Sequence, residues 1–134
     1  MTRTVLKTFV TMEPVAKGRP RTTKTGHTYT PTKTVQAEHR IQEQIGREWP
    51  HPPLEGPVGL KLIVYLPRPK NAKNKPYPLT RPDGDNYLKL CGDSLNQVMW
   101  RDDSILVDMT VKKRFVNEEF PHPGIAIEVI DLTP

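Results

Sequence analysis

Apolar side chains recur at every second position from Val58 to Leu66. Val58, Leu60, Leu62, Val64 and Leu66 alternate with Gly59, Lys61, Ile63 and Tyr65, the period of a strand with one strongly buried face. The same alternation predicts a strand from Ile105 to Phe115, through Ile105, Val107, Met109 and Val111, and another from Gly124 to Ile130, through Ile125, Ile127 and Val129. Asn117 to Pro123 is the expected hairpin connection between these two. Near the start, the β-branched and aromatic residues Val5, Thr8, Phe9, Val10 and Thr11 favour a first strand from Val5 to Met12.

Two stretches carry the helical period instead. Thr32 or Thr34 can cap a helix running to about Trp49, with Val35, Ile41, Ile45 and Trp49 near one face and Gln36, Arg40, Gln44 and Arg47 elsewhere. Pro50, Pro52 and Pro53 stop it. From about Gly84 to Met99, Leu88, Cys91, Leu95, Val98 and Met99 recur at helical spacing, leaving Asp85, Lys89, Asp93 and Asn96 on the opposite face. The order predicts a single domain over residues 1–134, an α+β fold in which a mixed, mostly antiparallel sheet is covered by two helices.

The connections are irregular and basic. KGRPRTTKTGHTYTP, ending at Pro31, reads as an exposed loop or irregular hairpin, and PRPKNAKNKPYPLTRP, residues 67–82, has five prolines and five basic residues. Lys17, Arg19, Arg21, Lys24 and Lys33 fall in one acid-free stretch, and Arg68, Lys70, Lys73, Lys75 and Arg81 in another. With 20 Lys plus Arg against 15 Asp plus Glu and a pI of 9.4, the chain suits a polyanionic partner. Solvated basic loops would look similar, so charge alone does not settle the partner.

Several classes are excluded. The lone Cys91 permits neither an internal disulfide nor a zinc site of its own, which suits a reducing cytosol. No stretch resembles a secretory signal or an apolar membrane span, so a cytoplasmic protein without membrane contact is expected. There is no phosphate-binding G-x-x-x-x-G-K, and Tyr87 and Leu88 occupy positions where a calcium loop needs an oxygen ligand and a glycine.

The string RPDGDNYLK puts Asp83 and Asp85 two apart at the mouth of a predicted helix, with Lys89 one turn beyond. Capping or turn roles account for each aspartate singly, but not for the pair together with a lysine. Carboxylates without neighbouring His or Cys select Mg²⁺ or Mn²⁺ rather than zinc, and such ions with a positioned lysine suit phosphodiester hydrolysis. Asp102 and Asp103 stand at the far end of that helix, so the strand after them must run back alongside for the groups to meet.

The segment from Arg81 to Asp108, RPDGDNYLKLCGDSLNQVMWRDDSILVD, resembles the central motif of the RusA family of Holliday junction resolvases. PVAKGRPRTTKTGHTYTP, Pro14 to Pro31, is similar to the basic N-terminal segment of its phage and prophage members. The resemblance implies that Asp83, Asp85 and Asp103 bind the divalent metal and that Lys89 is required for cleavage. The spacing from Asp85 to Asp103 is about one residue shorter than in a member of that family, which keeps Asp102 as an alternative ligand, and Pro82 stands where the family often has a basic residue.

By the same resemblance the protein is a homodimeric, Mg²⁺-dependent crossover junction endodeoxyribonuclease, with Mn²⁺ able to substitute. It would nick opposed strands of four-way junctions in DNA recombination and repair. DNA contacts are expected from Lys17, Arg19, Arg21, Lys24, Lys73, Lys75 and Arg81. Two competing readings are a noncatalytic DNA-binding module and a nuclease for branched or flap DNA without junction selectivity. His27, His39, His51 and His122 are scattered and have no part in the mechanism, whereas Trp100 could orient the acidic loop beside it.

Overall fold

The strand predicted most clearly from the sequence lies inside the sheet, with neighbours on both sides. In a computed structural model that describes residues 2–15, 21–29, 31–72 and 74–134, strands β1 (Arg3–Thr11), β4 (Val58–Leu66), β5 (Leu106–Phe115) and β6 (Gly124–Asp131) form one sheet in the order β1-β6-β4-β5. β6 is antiparallel to both β1 and β4, and β5 is parallel to β4. A two-residue pair, β2 (Arg21–Thr22) with β3 (Thr28–Tyr29), forms a separate small hairpin. The α+β fold expected from the sequence is the one observed.

Helices α1 (Thr32–Glu48) and α2 (Gly84–Leu95) cover one face of the sheet. Val58, Leu60, Leu62 and Val64 of β4 point into this layer, with Ile125, Ile127 and Val129 of β6, Ile41 and Ile45 of α1, and Leu90, Cys91 and Leu95 of α2. Burial of this kind supplies ~25 cal/mol per Å² of apolar area removed from water, and it fixes the register of every element around it. The other face of the sheet carries Lys7, Phe9, Lys61, Ile63, Lys112 and Glu128 along a groove.

Four expectations are corrected. β5 and β6 do not form a hairpin, because β4 lies between them. Their connection instead passes the end of β4, where the Val116 amide donates to the Leu66 carbonyl oxygen at 2.9 Å and the Phe120 ring stacks on Tyr65 with centroids 4.5 Å apart. Val35, expected on the buried face of α1, is 38% exposed; Thr34, Ala37, Ile41 and Ile45 make that face, and Pro31 precedes the helix without a side-chain cap.

α2 ends at Leu95 rather than near Met99, since Gln97 adopts a positive φ of 68° that no helix accommodates. Its buried face also includes Tyr87, while Leu88 is only partly covered. The fourth correction concerns β5. Val107 and Met109 are not buried but 62% and 52% exposed, because β5 is the edge of the sheet and a register shift opposite Val58/Gly59 inserts Val107 into the ladder.

The two sheet edges are treated differently. Along β1, the Gln44 amide of α1 donates to the Phe9 carbonyl oxygen at 3.0 Å and to the Thr8 hydroxyl at 3.2 Å, so a helix side chain covers the strand's free backbone. Among the described residues no side chain plays that part along β5 between Leu106 and Lys112. An uncovered edge with exposed apolar residues is a template for pairing with another strand.

Candidate metal centre and its divided carboxylates

α2 begins where the proline-rich stretch of residues 67–82 ends. Asp83 is its N-cap in extended conformation (φ −69°, ψ 152°), and Asp85 falls in its first turn. The positive end of the helix dipole favours both negative charges there. Asp83 makes no side-chain capping bond, and Asp85, Asp83 and Lys89 are all exposed. Asp85 and Lys89 therefore stand one helical turn apart with Asp83 at the cap before them, and all three side chains are open to solvent.

Gly84 locks this end of α2 onto the sheet: a Cβ at that position would stand 3.1 Å from Val111 Cγ1 of β5. The helix then runs away for 12 residues, about 18 Å. β5 returns alongside, but only from Leu106 onward, and roughly 17 Å of strand separates Leu106 from Val111. Asp103 lies before that return, in a 3-10 turn Asp103–Ile105. The condition set by the sequence is met by the strand but not by the aspartate.

At the far end the two neighbouring carboxylates have different partners. The Trp100 indole N–H donates to Asp103 Oδ1 at 2.8 Å, and Trp100 is completely buried, so the expected orienting role of this indole has a direct bond behind it. Asp102 instead accepts from the Ser104 amide at 2.9 Å, capping the turn. Those bonds to Ser104 hold its carboxyl below the usual aspartate range, with the nearby Arg101 adding to the effect.

Among the described residues no three His, Cys, Asp or Glu side chains gather closely enough to hold a metal ion. One protomer thus presents two exposed carboxylates with a lysine at the start of α2, and a third carboxylate, bonded to Trp100, in the turn that follows the helix. Between the two ends runs the bare edge of β5 with Val107 and Met109 exposed.

Of the basic residues expected to meet DNA, Arg21, Lys24, Lys75 and Arg81 are all exposed. Lys17, Arg19 and Lys73 lie outside the described residues. Arg68 is not a free cation: it donates to the Ala72 and Lys75 carbonyl oxygens at 2.8 and 2.9 Å and covers the Phe115 ring at 4.3 Å. Sequence reasoning missed Lys113, whose ammonium donates to the Thr80 carbonyl oxygen at 2.7 Å, and Arg114, which lies 4.9 Å over the Tyr77 ring. Both pin the stretch that delivers Asp83, and nothing short of the β5 position could have revealed them.

Comparison with known proteins gives two matches. A family described as "Endodeoxyribonuclease RusA" matches residues 11–130. The chain is also similar to "Uncharacterized protein YqaN" of Bacillus subtilis (strain 168), at 35% identity over 128 residues covering 85% of this chain and 89% of that protein. No helix among the described residues is long and apolar enough to cross a membrane.

Proposed function

The chain belongs to the RusA endodeoxyribonuclease family, and on that premise we propose that it is a Mg²⁺-dependent homodimeric endonuclease that cuts four-way DNA junctions in recombination and repair. The observation that carries this reading is the exposed Asp83 and Asp85 pair, unused in capping, with Lys89 one turn along the same helix. Hard carboxylate oxygens on a helix start fit Mg²⁺, or Mn²⁺ in its place. An ion held by these carboxylates would supply the charge that polarises the phosphoryl oxygen, activates water and stabilises the leaving 3′ oxygen.

The protein's own groups have distinct parts. Asp83 and Asp85 would hold the ion, and Lys89 adds positive charge where the phosphoryl group gains negative charge. Arg21, Lys24, Lys75 and Arg81 supply phosphate contacts, so binding should weaken steeply with salt.

Asp103 joins the site from a second copy. Asp103 and Val111 each lie four residues from Val107, so antiparallel pairing of two β5 edges about Val107 brings the Asp103 turn of one copy toward the α2 N-terminus of the other. That arrangement covers Val107 and Met109, completes two sites by a two-fold axis, and suits paired nicks across a symmetric junction. It also explains why one protomer keeps its carboxylates apart.

The test is cleavage of a synthetic four-way junction, a fork and a linear duplex by purified protein with Mg²⁺. Nicked duplexes from the junction, and little product from linear DNA, are expected. Binding without cleavage in Mg²⁺ or Mn²⁺ would reduce the protein to a binding module, and equal cleavage of all three substrates would remove the junction from the reading.

A further inference from the structure

The stretch that delivers the chain to Asp83 exposes apolar side chains beside an apolar hollow. Leu79 is 80% exposed and Tyr77 50% exposed, although Leu66, Ala72, Pro78 and Phe115 line a depression at their base. A single exposed leucine is ordinary on a protein surface. This one differs in how it is held and in what surrounds it.

Three bonds and two ring contacts fix the segment. Arg68 ties down the Ala72 and Lys75 carbonyl oxygens and covers Phe115, Lys113 holds the Thr80 carbonyl oxygen, and Arg114 covers Tyr77. Pro76, Pro78 and Pro82 restrict the backbone between these anchors. The order is therefore paid on folding, and Leu79 is presented rather than loosely displayed. Residues 67–82 contain no acid, and Lys75 and Arg81 flank the apolar pair, both exposed.

An apolar tip between cations, on a stiff support, suits a polyanion with a stackable interior. Leu79 is four residues from Asp83, at most about 14 Å of chain, and a base step is ~3.4 Å. The tip thus reaches within about four steps of the proposed scissile phosphate. In continuous duplex an intruding side chain must break stacking, at a few kcal/mol per step, whereas at a branch the stack is already interrupted.

We propose that Leu79 is a wedge that enters the unstacked bases at a branch point, backed by Tyr77, and that this contact favours branched over linear DNA. The proposal rests on the nuclease reading above and names a specificity residue for it. Arg114 and Lys113 act as positioning residues, through Tyr77 and Thr80.

The experiment uses the Asp85→Asn protein, which should bind without cutting, and a four-way junction with 2-aminopurine at the branch. Binding should raise the fluorescence several-fold; adding Leu79→Ser should remove most of that rise, and Leu79→Phe should retain it. In the cleaving protein, Leu79→Ser should lower the ratio of junction to linear cleavage by about tenfold. The melting temperature of Leu79→Ser should be unchanged, because the position is 80% exposed. If Leu79→Ser keeps both the fluorescence rise and the cleavage ratio while the parent protein cuts junctions, the wedge is wrong and the nuclease stands. A parent that neither binds nor cuts branched DNA overturns the nuclease reading and the wedge with it.

Discussion

The indole nitrogen of Trp100 donates to Oδ1 of Asp103 at 2.8 Å, while Asp102 next to it turns to the Ser104 amide. Two adjacent, chemically identical carboxylates are thereby given separate work. Asp102 shapes the turn. Asp103 has one oxygen tied to a ring that is itself buried in the core, and its side chain is otherwise open to solvent. This supports Asp103 over Asp102 as the third ligand.

Replacing Trp100 with Phe keeps most of the apolar volume and removes the N–H. Loss of a bond that orients a metal ligand typically weakens metal affinity by roughly 10–100-fold. The Mg²⁺ concentration for half-maximal junction cleavage should rise accordingly, with junction binding in the absence of metal unchanged. An unaltered Mg²⁺ titration would mean that the indole only packs.

Met109→Glu places a charge on the uncovered β5 edge. Because Met109 is 52% exposed in the protomer, folding stability should change by no more than about 0.5 kcal/mol. Sedimentation should nevertheless show the wild type as a dimer and the variant as a monomer, with cleavage lost. A variant that stays dimeric and active would move the contact away from β5.

Tyr87 follows the aspartate pair directly, is completely buried, and its hydroxyl has no hydrogen-bond partner among the described residues. A buried unpaired hydroxyl costs roughly 1–3 kcal/mol, which the apolar phenyl ring avoids. Tyr87→Phe should therefore leave the melting temperature unchanged or raise it. A fall would reveal a partner for the hydroxyl.

Burial among apolar side chains pushes the Cys91 thiol from 9.0 up to about 12. The folded state keeps the proton that the unfolded chain gives up, so this contribution is complete below pH 9 and is lost as pH rises through the folded value. In denaturant titrations, wild-type stability should fall relative to Cys91→Ala by up to ~1.4 kcal/mol per pH unit in that window. Parallel curves for the two proteins would show that the thiol is not so perturbed.

What the sequence disclosed followed from burial. β4 alternates because one of its faces packs under the helices while the other lines a groove, and α1 and α2 show their helical period because each covers the same face. The parts not legible depend on neighbours in space. Alternation in Val107 and Met109 reports a strand but not that it stands at the sheet's edge, and nothing in Asn117 to Pro123 tells that β4 intervenes between β5 and β6. Gln97 at positive φ carries none of glycine's signal. For the site, Asp83, Asp85 and Lys89 were readable as one group from their spacing, and the distance of Asp103 from them was foreseeable from helix length. Its bond to Trp100 and the bare strand between the two ends were visible only in the fold.

In the proposed dimer each cleavage site takes Asp83 and Asp85 from one copy and Asp103 from the other. Asp85→Asn and Asp103→Asn should each abolish junction cleavage with Mg²⁺ while retaining binding. Mixed and allowed to exchange subunits, they should form heterodimers with one intact site, which nick the junction in one strand but do not make the paired cut. If wild type cuts and the mixture stays inert despite proven subunit exchange, the carboxylates do not meet across the dimer and the divided site is wrong.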